Sequence, residues 1–172
     1  MADKKFKYVP FVTEVMTARN PHLSEPDTEG DYADGKYKTE ATADGDYTER
    51  FQAVIKSVKD KHFAGKKGTW LPWKETVEGA VAFLFKSPNN QLLLTDAKGN
   101  PIKTGIIISG GSLIRIAGVI APWEKGQMRG VSLWPYAVRV IRLVEDFDAA
   151  AAFGPAEDGF DVTTYAPWRD RS

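Results

Sequence analysis

The feature that most constrains the fold is a series of short apolar segments separated by turns that contain glycine and proline. Five of them follow one another after residue 79: "AVAFLFKS", "QLLLTD", "GIIIS", "SLIRIAGVIAPW" and "GVSLWPYAVRVIRLVE". Two more, "YVPFVTEVMTA" and "KYKTEATA", precede them. Their lengths and their β-branched residues favour strands over helices. Roughly seven short strands predict a mainly β protein that forms a closed or partly closed antiparallel barrel.

One segment, "DGDYTERFQAVIKSVKDKHFAG", has the pattern of a helix. Phe51, Val54, Ile55 and Val58 follow the i, i+3, i+4, i+7 spacing of a single buried stripe. Asp46 or Thr48 is the expected N-cap, and Gly65 is the expected end. The predicted fold therefore has one main helix.

The bulk composition limits the class of protein. The 172 residues are enough for one domain with its own core. Cysteine is absent, which excludes disulfides and thiolate metal sites and favours a reducing compartment. No apolar run has the length of a signal peptide core or a membrane span. We therefore expect a soluble intracellular protein that does not bind membranes.

Charge is unevenly distributed although the net charge is zero. Residues 1–144 contain 21 lysines and arginines against 16 acidic residues, whereas residues 145–172 contain 2 against 7. The acidic segment has scattered aromatics and no core pattern, so we predict a body of residues 1–144 and a flexible tail of residues 145–172. A basic body points to a polyanionic partner, although ordinary solvated charge is an alternative.

Catalytic and metal-binding patterns are missing from the sequence. His22 and His62 lie in different predicted elements, and neither has a metal-ligand spacing. The sequence contains no complete phosphate-binding loop, serine elbow or motif of paired carboxylates. We therefore predict a protein without enzymatic activity and without a metal or cofactor.

Aromatic and basic residues alternate in three places. Lys66, Lys67, Trp70, Trp73 and Lys74 share a loop, Trp123, Lys125 and Arg129 surround a turn, and Trp134, Tyr136 and Arg139 lie in the last strand. Single-stranded nucleic acid requires this combination, because cations follow the phosphates while aromatic faces stack on unpaired bases. Tryptophans that are simply part of the core are the alternative. Lys36, Lys38 and Arg115 complete the predicted DNA-binding set.

The last strand does not alternate cleanly between apolar and polar residues. Strict alternation would place Trp134, Tyr136 and Val138 on one face and Leu133, Pro135 and Arg139 on the other. A β-bulge at Ala137–Val138 would instead bury Leu133, Pro135, Val138 and Val140. Trp134, Tyr136 and Arg139 would then share the outer face, and Pro135 favours such an irregularity.

The order of these features resembles the replicative single-stranded DNA-binding proteins of podovirus-type bacteriophages. The resemblance rests on "PHLSEPDTEGDYADGKYKTEA", the lysine-rich helix, "LLLTDAKGNPI", "IIISGGSLIRIAGVIAPW" and the last strand with its acidic tail. It implies an OB-fold, a five-stranded Greek-key barrel, and usually a homodimer. It also implies a role in phage DNA replication, recombination and repair in the cytoplasm of the infected host.

The resemblance further assigns roles to particular positions. Trp123 matches an exposed aromatic near DNA, and Lys66 and Lys67 match DNA-contacting cations. The acidic tail is implied to contact the phage polymerase and helicase-primase, and to cover the DNA groove when DNA is absent. The tail residues assigned to this role are Glu145, Asp146, Phe147, Asp148, Phe153, Glu157, Asp158, Phe160 and Asp161. The chain ends "YAPWRDRS", which departs from the family's acidic terminus with its final aromatic. A barrel that binds a protein or an oligosaccharide is the alternative function.

Overall fold

The computed structural model describes residues 6–28, 30, 33–88, 92–103, 105–145 and 153–165. Within them it has eight strands and one helix. The elements are β1 (Val9–Val12), β2 (Met16–His22), β3 (Lys38–Thr42), α1 (Gly45–Phe63), β4 (Trp73–Glu75), β5 (Val81–Lys86), β6 (Leu93–Thr95), β7 (Leu113–Lys125) and β8 (Met128–Arg142).

Five of the strands close into a barrel. The pairing runs β7–β2–β3–β5–β8, and β8 pairs again with β7 to complete the circle. The β5–β8 pair is parallel, and the other pairs of the barrel are antiparallel. β1 extends the sheet beside β7, β6 lies beside β8, and β4 lies beside β5. The predicted mainly β OB-fold with one helix is therefore confirmed.

Helix α1 covers the barrel with an aromatic contact surface. The Phe51 ring lies 4.9 Å from that of Phe83 and 5.6 Å from that of Phe11, measured between centroids. Ile55 and Val58 are also buried, as the stripe predicts, whereas Val54 is 46% exposed. The N-cap is Asp44, whose carboxylate accepts a hydrogen bond from the Tyr47 N–H at 2.8 Å. The predicted caps Asp46 and Thr48 are therefore wrong, because the cap lies two residues before Asp46 and four before Thr48.

Two of the predicted strands are also wrong. The segment "YVPFVTEVMTA" is divided between β1 and β2, because the buried residue Thr13 interrupts it. The Thr13 hydroxyl accepts a hydrogen bond from the Ile116 N–H at 2.9 Å. "GIIIS" forms no strand, because its last residue, Ser109, donates to the Val144 carbonyl at 2.9 Å instead of pairing along a ladder. Short apolar runs do not distinguish such connections from strands.

The predicted bulge in β8 is confirmed, with its position shifted by one residue. Ala137 pairs with Ala117 and Pro135 pairs with Gly118, so Tyr136 is the extra residue. Pro135 is buried, and Tyr136 is 52% exposed. Leu133, Val138 and Val140 are buried, Arg139 is exposed and Trp134 is half-buried, as the bulge requires.

Candidate nucleic-acid interface

A groove of about 920 Å³ runs along the outside of the barrel beside the first half of β8. It is bounded by the β7–β8 turn, by the loop that precedes β4, and by the end of β5. The residues that line it are Lys36, Gly68, Trp70, Leu84, Lys86, Pro88, Trp123, Lys125, Gln127, Met128, Arg129, Ser132, Leu133 and Trp134. The groove thus brings together residues that lie almost a hundred positions apart in the sequence.

The loop before β4 is held against β8 by three hydrogen bonds. The Trp70 N–H donates to the Arg129 carbonyl at 3.0 Å, and the Val131 N–H donates to the Trp70 carbonyl at 2.9 Å. The Arg129 guanidinium donates to the Lys67 carbonyl at 3.1 Å. These bonds fix the backbone of Trp70, whose side chain stays 45% exposed at the groove.

The Trp123 indole packs close to a glycine across the β7–β8 ribbon. It is the cross-strand partner of Gly130. A Cβ at Gly130 would lie 2.7 Å from the Trp123 Cζ2 atom, which is closer than any side chain allows. An indole that covers a strand glycine in this way occupies a defined position. The glycine therefore leaves room for the indole, and Trp123 is among the residues that line the groove.

Trp134 stands on the outer face of β8 at the other side of the groove. Its ring makes an edge-to-face contact with Tyr8 at a centroid distance of 5.1 Å. Since Trp134 is half-buried, this contact restrains the ring while part of it remains accessible. Three tryptophans, Trp70, Trp123 and Trp134, therefore line one groove.

Four cations accompany the tryptophans: Lys36, Lys86, Lys125 and Arg129. Among the described residues, Lys36 and Lys125 make no salt bridge. Arg129 lies 3.4 Å from Glu124, and Lys86 lies 2.7 Å from Asp34. The groove therefore has two cations without a described carboxylate partner and two that are partly neutralised.

Asp34 holds Lys86 within a wider ionic cluster. The same carboxylate lies 3.3 Å from Lys38, whose ammonium is also 2.9 Å from Asp27. Burial alone would raise the pKa of Asp34, but hydrogen bonds from Lys86 and the Lys36 N–H lower that pKa to about 2. Asp34 is therefore ionised at neutral pH and competes for the charge of Lys86.

Eight residues of the predicted DNA-binding set do not line the groove, and three of them are held by contacts elsewhere. Lys38 is held by its two carboxylates, and Lys74 lies 2.9 Å from Glu40. Trp73 packs edge-on against the buried Phe83 at 6.0 Å between ring centroids, so it serves the core. We therefore leave these three out of the proposed interface.

The other five predicted residues lie beside the groove or farther along the β7–β8 ribbon. Lys66 and Lys67 are exposed on the loop beside it, and Lys66 lies 3.5 Å from Glu124. Tyr136 lies beyond Trp134 on the same outer face of β8. Arg115 and Arg139 line a separate hollow farther along the ribbon.

The tail residues lie away from the barrel core. The described tail residues are exposed: Glu145, Phe153, Glu157, Asp158, Phe160 and Asp161. Residues 153–165 contain no helix or strand. Phe160 contacts only the nearby Tyr165 among described rings, at 5.5 Å between centroids. Asp146, Phe147 and Asp148 lie outside the described residues.

Sequence reasoning missed several groove residues, of which Lys86 is the most important. It ends β5, and only the parallel pairing of β5 with β8 brings it to the groove. No local pattern signals a pairing between segments almost fifty residues apart. Gln127 and Met128 carry neither an aromatic ring nor a charge, so the pairing of aromatic with basic residues that singles out Trp123, Lys125 and Arg129 does not select them. Their position in a turn between two aromatics was the available signal.

A metal-binding cluster and a membrane-spanning helix are both absent from the described residues. They contain no group of three or more histidine, cysteine and carboxylate side chains that could bind a metal. Within them, no helix is both long and apolar enough to cross a membrane.

Comparisons with known proteins agree with the fold. No family model matches the chain, and no curated protein matches its sequence. Among solved structures, gp2.5, a single-stranded DNA-binding protein encoded by bacteriophage T7, is 18% identical, with a TM-score of 0.65. That match covers 90% of this chain and 99% of gp2.5. A second similar structure is the single-stranded DNA-binding protein of bacteriophage Enc34 in complex with single-stranded DNA, which is 17% identical, with a TM-score of 0.61. That match covers 81% of this chain and 89% of the Enc34 chain. The resemblance to phage single-stranded DNA-binding proteins is therefore confirmed in fold.

Proposed function

We propose that this protein binds single-stranded DNA in the groove beside β8, without sequence preference and without catalysis. The observation that carries the proposal is the convergence of Trp70, Trp123 and Trp134 with four cations in one groove. Support also comes from the fold, which is shared with two phage proteins whose described ligand is single-stranded DNA.

The groove chemistry explains why sequence should matter little. Every base presents a face that can stack on an indole, and each such stack stabilises binding by roughly 1–3 kcal/mol. Lysine and arginine attract phosphates whatever base is attached. Duplex DNA hides its base faces, so the same groove should prefer single strands.

The biological role that we propose follows the phage proteins of the same fold. The chain coats single-stranded DNA during phage replication, recombination and repair in the cytoplasm of the infected host, as a homodimer. Residues 1–144 form the DNA-binding body, and residues 145–172 form an acidic tail that contacts the phage polymerase and helicase-primase. Membership of the podovirus-type family is part of this proposal.

A fluorescence titration tests the proposal. Oligo-dT should quench the tryptophan emission of the full chain, and duplex of matched length should do so far more weakly. Raising salt should reverse the quenching with a log–log slope between about 1.4 and 3, because each neutralised phosphate contributes about 0.7 and two to four of the groove cations are available. Equal affinity for duplex, or no binding of either, would overturn the proposal. Binding that ignores salt would instead favour a barrel that recognises a protein or an oligosaccharide.

A further inference from the structure

A second hollow lies on the β7–β8 ribbon, beyond Tyr136 as seen from the groove. Its volume is about 280 Å³. Its floor includes the small residues Ala117 and Ala137, and its sides include Val12 of β1 and Leu93 of β6. Arg115 and Arg139 supply its two positive charges.

These two arginines lie opposite each other on neighbouring strands. They are direct cross-strand partners, and like charges in that position destabilise a sheet. Arg19, Arg50 and Arg129 each make a salt bridge. Neither arginine of the hollow makes one with any described residue. The two positive charges are therefore not neutralised by any described carboxylate.

Each guanidinium keeps donors for such an anion. The Arg115 Nε–H donates to the Thr13 carbonyl at 3.0 Å, which uses one of five N–H groups. Arg139 is exposed, and its Nη2 reaches over the turn to within 3.7 Å of the position that a Cβ on Gly99 would take. Guanidinium groups suit phosphate because two N–H donors can bind two oxygens together.

The bulge at Tyr136 creates this arrangement. Without the extra residue, strict alternation would place Arg139 on the same face as Leu133, which is buried in the barrel. With it, Arg139 shares the outer face with Trp134. One irregularity therefore continues the surface of the groove into the arginine hollow.

We propose that Arg115 and Arg139 form a subsite in addition to the groove. It holds a phosphate of the same single-stranded DNA molecule, at the point where the DNA continues past Tyr136. This inference rests on the proposed function. Five residue steps lead from Trp134 to Arg139, which corresponds to about 15 Å at roughly 3.4 Å per residue with the bulge allowed for. A very short oligonucleotide that fills the groove therefore does not reach the subsite, and a longer one does.

A length series of oligo-dT tests the subsite in the full chain. Arg139→Gln is compared with Arg142→Gln. The second variant removes the same charge from an exposed residue of β8 that lines neither the groove nor the arginine hollow. With oligonucleotides of about 4 nucleotides, at the short end for one OB-fold, both variants should match the wild type. With about 16 nucleotides, Arg139→Gln should bind about fivefold more weakly. Its salt slope should also fall by about 0.7.

Three results would overturn the subsite. The first is wild-type affinity of Arg139→Gln at every length. The second is an equal loss in Arg142→Gln, which would reduce the effect to net charge. The third is that Arg139→Gln binds a separate peptide of residues 145–172 more weakly than the wild type does, while its affinity for every oligonucleotide is unchanged. This result would assign the hollow to the acidic tail. If the wild type binds no oligonucleotide of any length, the proposed function itself fails, which is a different outcome.

Discussion

Two tryptophans that follow similar sequence patterns have different roles because of the residues beside them. Trp123 faces Gly130 and presents its ring at the groove, whereas Trp73 packs against Phe83 and the Lys56 ammonium lies 5.8 Å from its ring centroid. Both are tryptophans next to lysines in the sequence, so the sequence alone could not separate them. The distinction depends on which strand each residue pairs with.

A first prediction uses this contrast. Trp123→Ala should weaken oligo-dT binding about tenfold, since one stack is worth roughly 1–3 kcal/mol, and should leave the melting temperature nearly unchanged. Trp73→Ala is the control, and it should lower the melting temperature while the folded protein binds normally. Binding titrations and thermal unfolding of both variants check this. Early unfolding of Trp123→Ala with normal binding would place that ring in the core.

Asp34 supplies a second prediction, which concerns binding. Asp34→Asn removes the carboxylate that lies 2.7 Å from Lys86, so the ammonium becomes available to a phosphate. Oligo-dT should then bind a few-fold more tightly at low salt, as expected for an exposed ion pair. Asp46→Asn is a suitable control, because that carboxylate pairs only with Arg50 on α1 among the described cations. Unchanged binding by Asp34→Asn would exclude Lys86 from the contact surface.

The same carboxylate makes a prediction about pH. The pKa of Asp34 is about 2 in the folded protein, against an ordinary value of 3.8. Because the folded state favours the ionised form, this group stabilises the protein above about pH 4, and its contribution disappears as the pH falls toward 2. The wild type should therefore lose more stability than Asp34→Asn between pH 4 and pH 2. Denaturant unfolding across that interval measures the difference.

At the scale of elements, the β7–β8 ribbon positions most of the interface. Its bulge was predictable because Pro135 and the mixed faces of the strand conflict with regular pairing. The main helix was predictable for the same kind of reason, since its periodicity is local. The parallel β5–β8 pairing and the short strand β4 were not, because they depend on contacts between segments distant in the sequence.

A glycine in β7 makes the bulge possible and gives an element-scale prediction. A Cβ on Gly118 would lie 2.0 Å from the Trp134 carbonyl oxygen, a backbone atom that cannot move aside. Gly118→Ala should therefore destabilise the fold by about 3 kcal/mol, the upper range for overpacking. Gly45→Ala is the matched control, because nothing lies within 4 Å of its added Cβ. Equal denaturation midpoints for the two variants would show that the ribbon can relax there.

At the scale of the whole molecule, the two parts of the chain carry opposite charge. Residues 1–144 have five more basic than acidic residues, and residues 145–172 have five more acidic than basic ones. The chain leaves the barrel at Val144, whose N–H donates to the Ser112 hydroxyl at 2.9 Å and whose carbonyl accepts from the Ser109 N–H at 2.9 Å. The acidic segment is thus tethered to the end of the strand that lines the groove.

This tether predicts competition between the tail and DNA. A chain attached to the far end of β8 is confined near the groove and has a raised effective concentration there. Its carboxylates can replace phosphates, and Phe153 and Phe160, which are 85% and 79% exposed, can replace stacked bases. Truncation after Val144 keeps the hydrogen bonds that Val144 makes with Ser109 and Ser112, so the fold should remain intact. Oligo-dT should bind the truncated protein more tightly, most clearly at low salt, since the Debye length falls to about 10 Å at 0.1 M.

A second tail variant separates charge from length. In it, every aspartate and glutamate of residues 145–172 is replaced by the corresponding amide, so the tail keeps its length and its aromatic residues. If electrostatic attraction dominates, this variant should bind oligo-dT as tightly as the truncated protein at low salt. If the aromatics dominate, it should bind like the full chain. Truncation that leaves low-salt affinity unchanged would contradict competition by either route, because removing a competitor held at the groove must raise the apparent affinity.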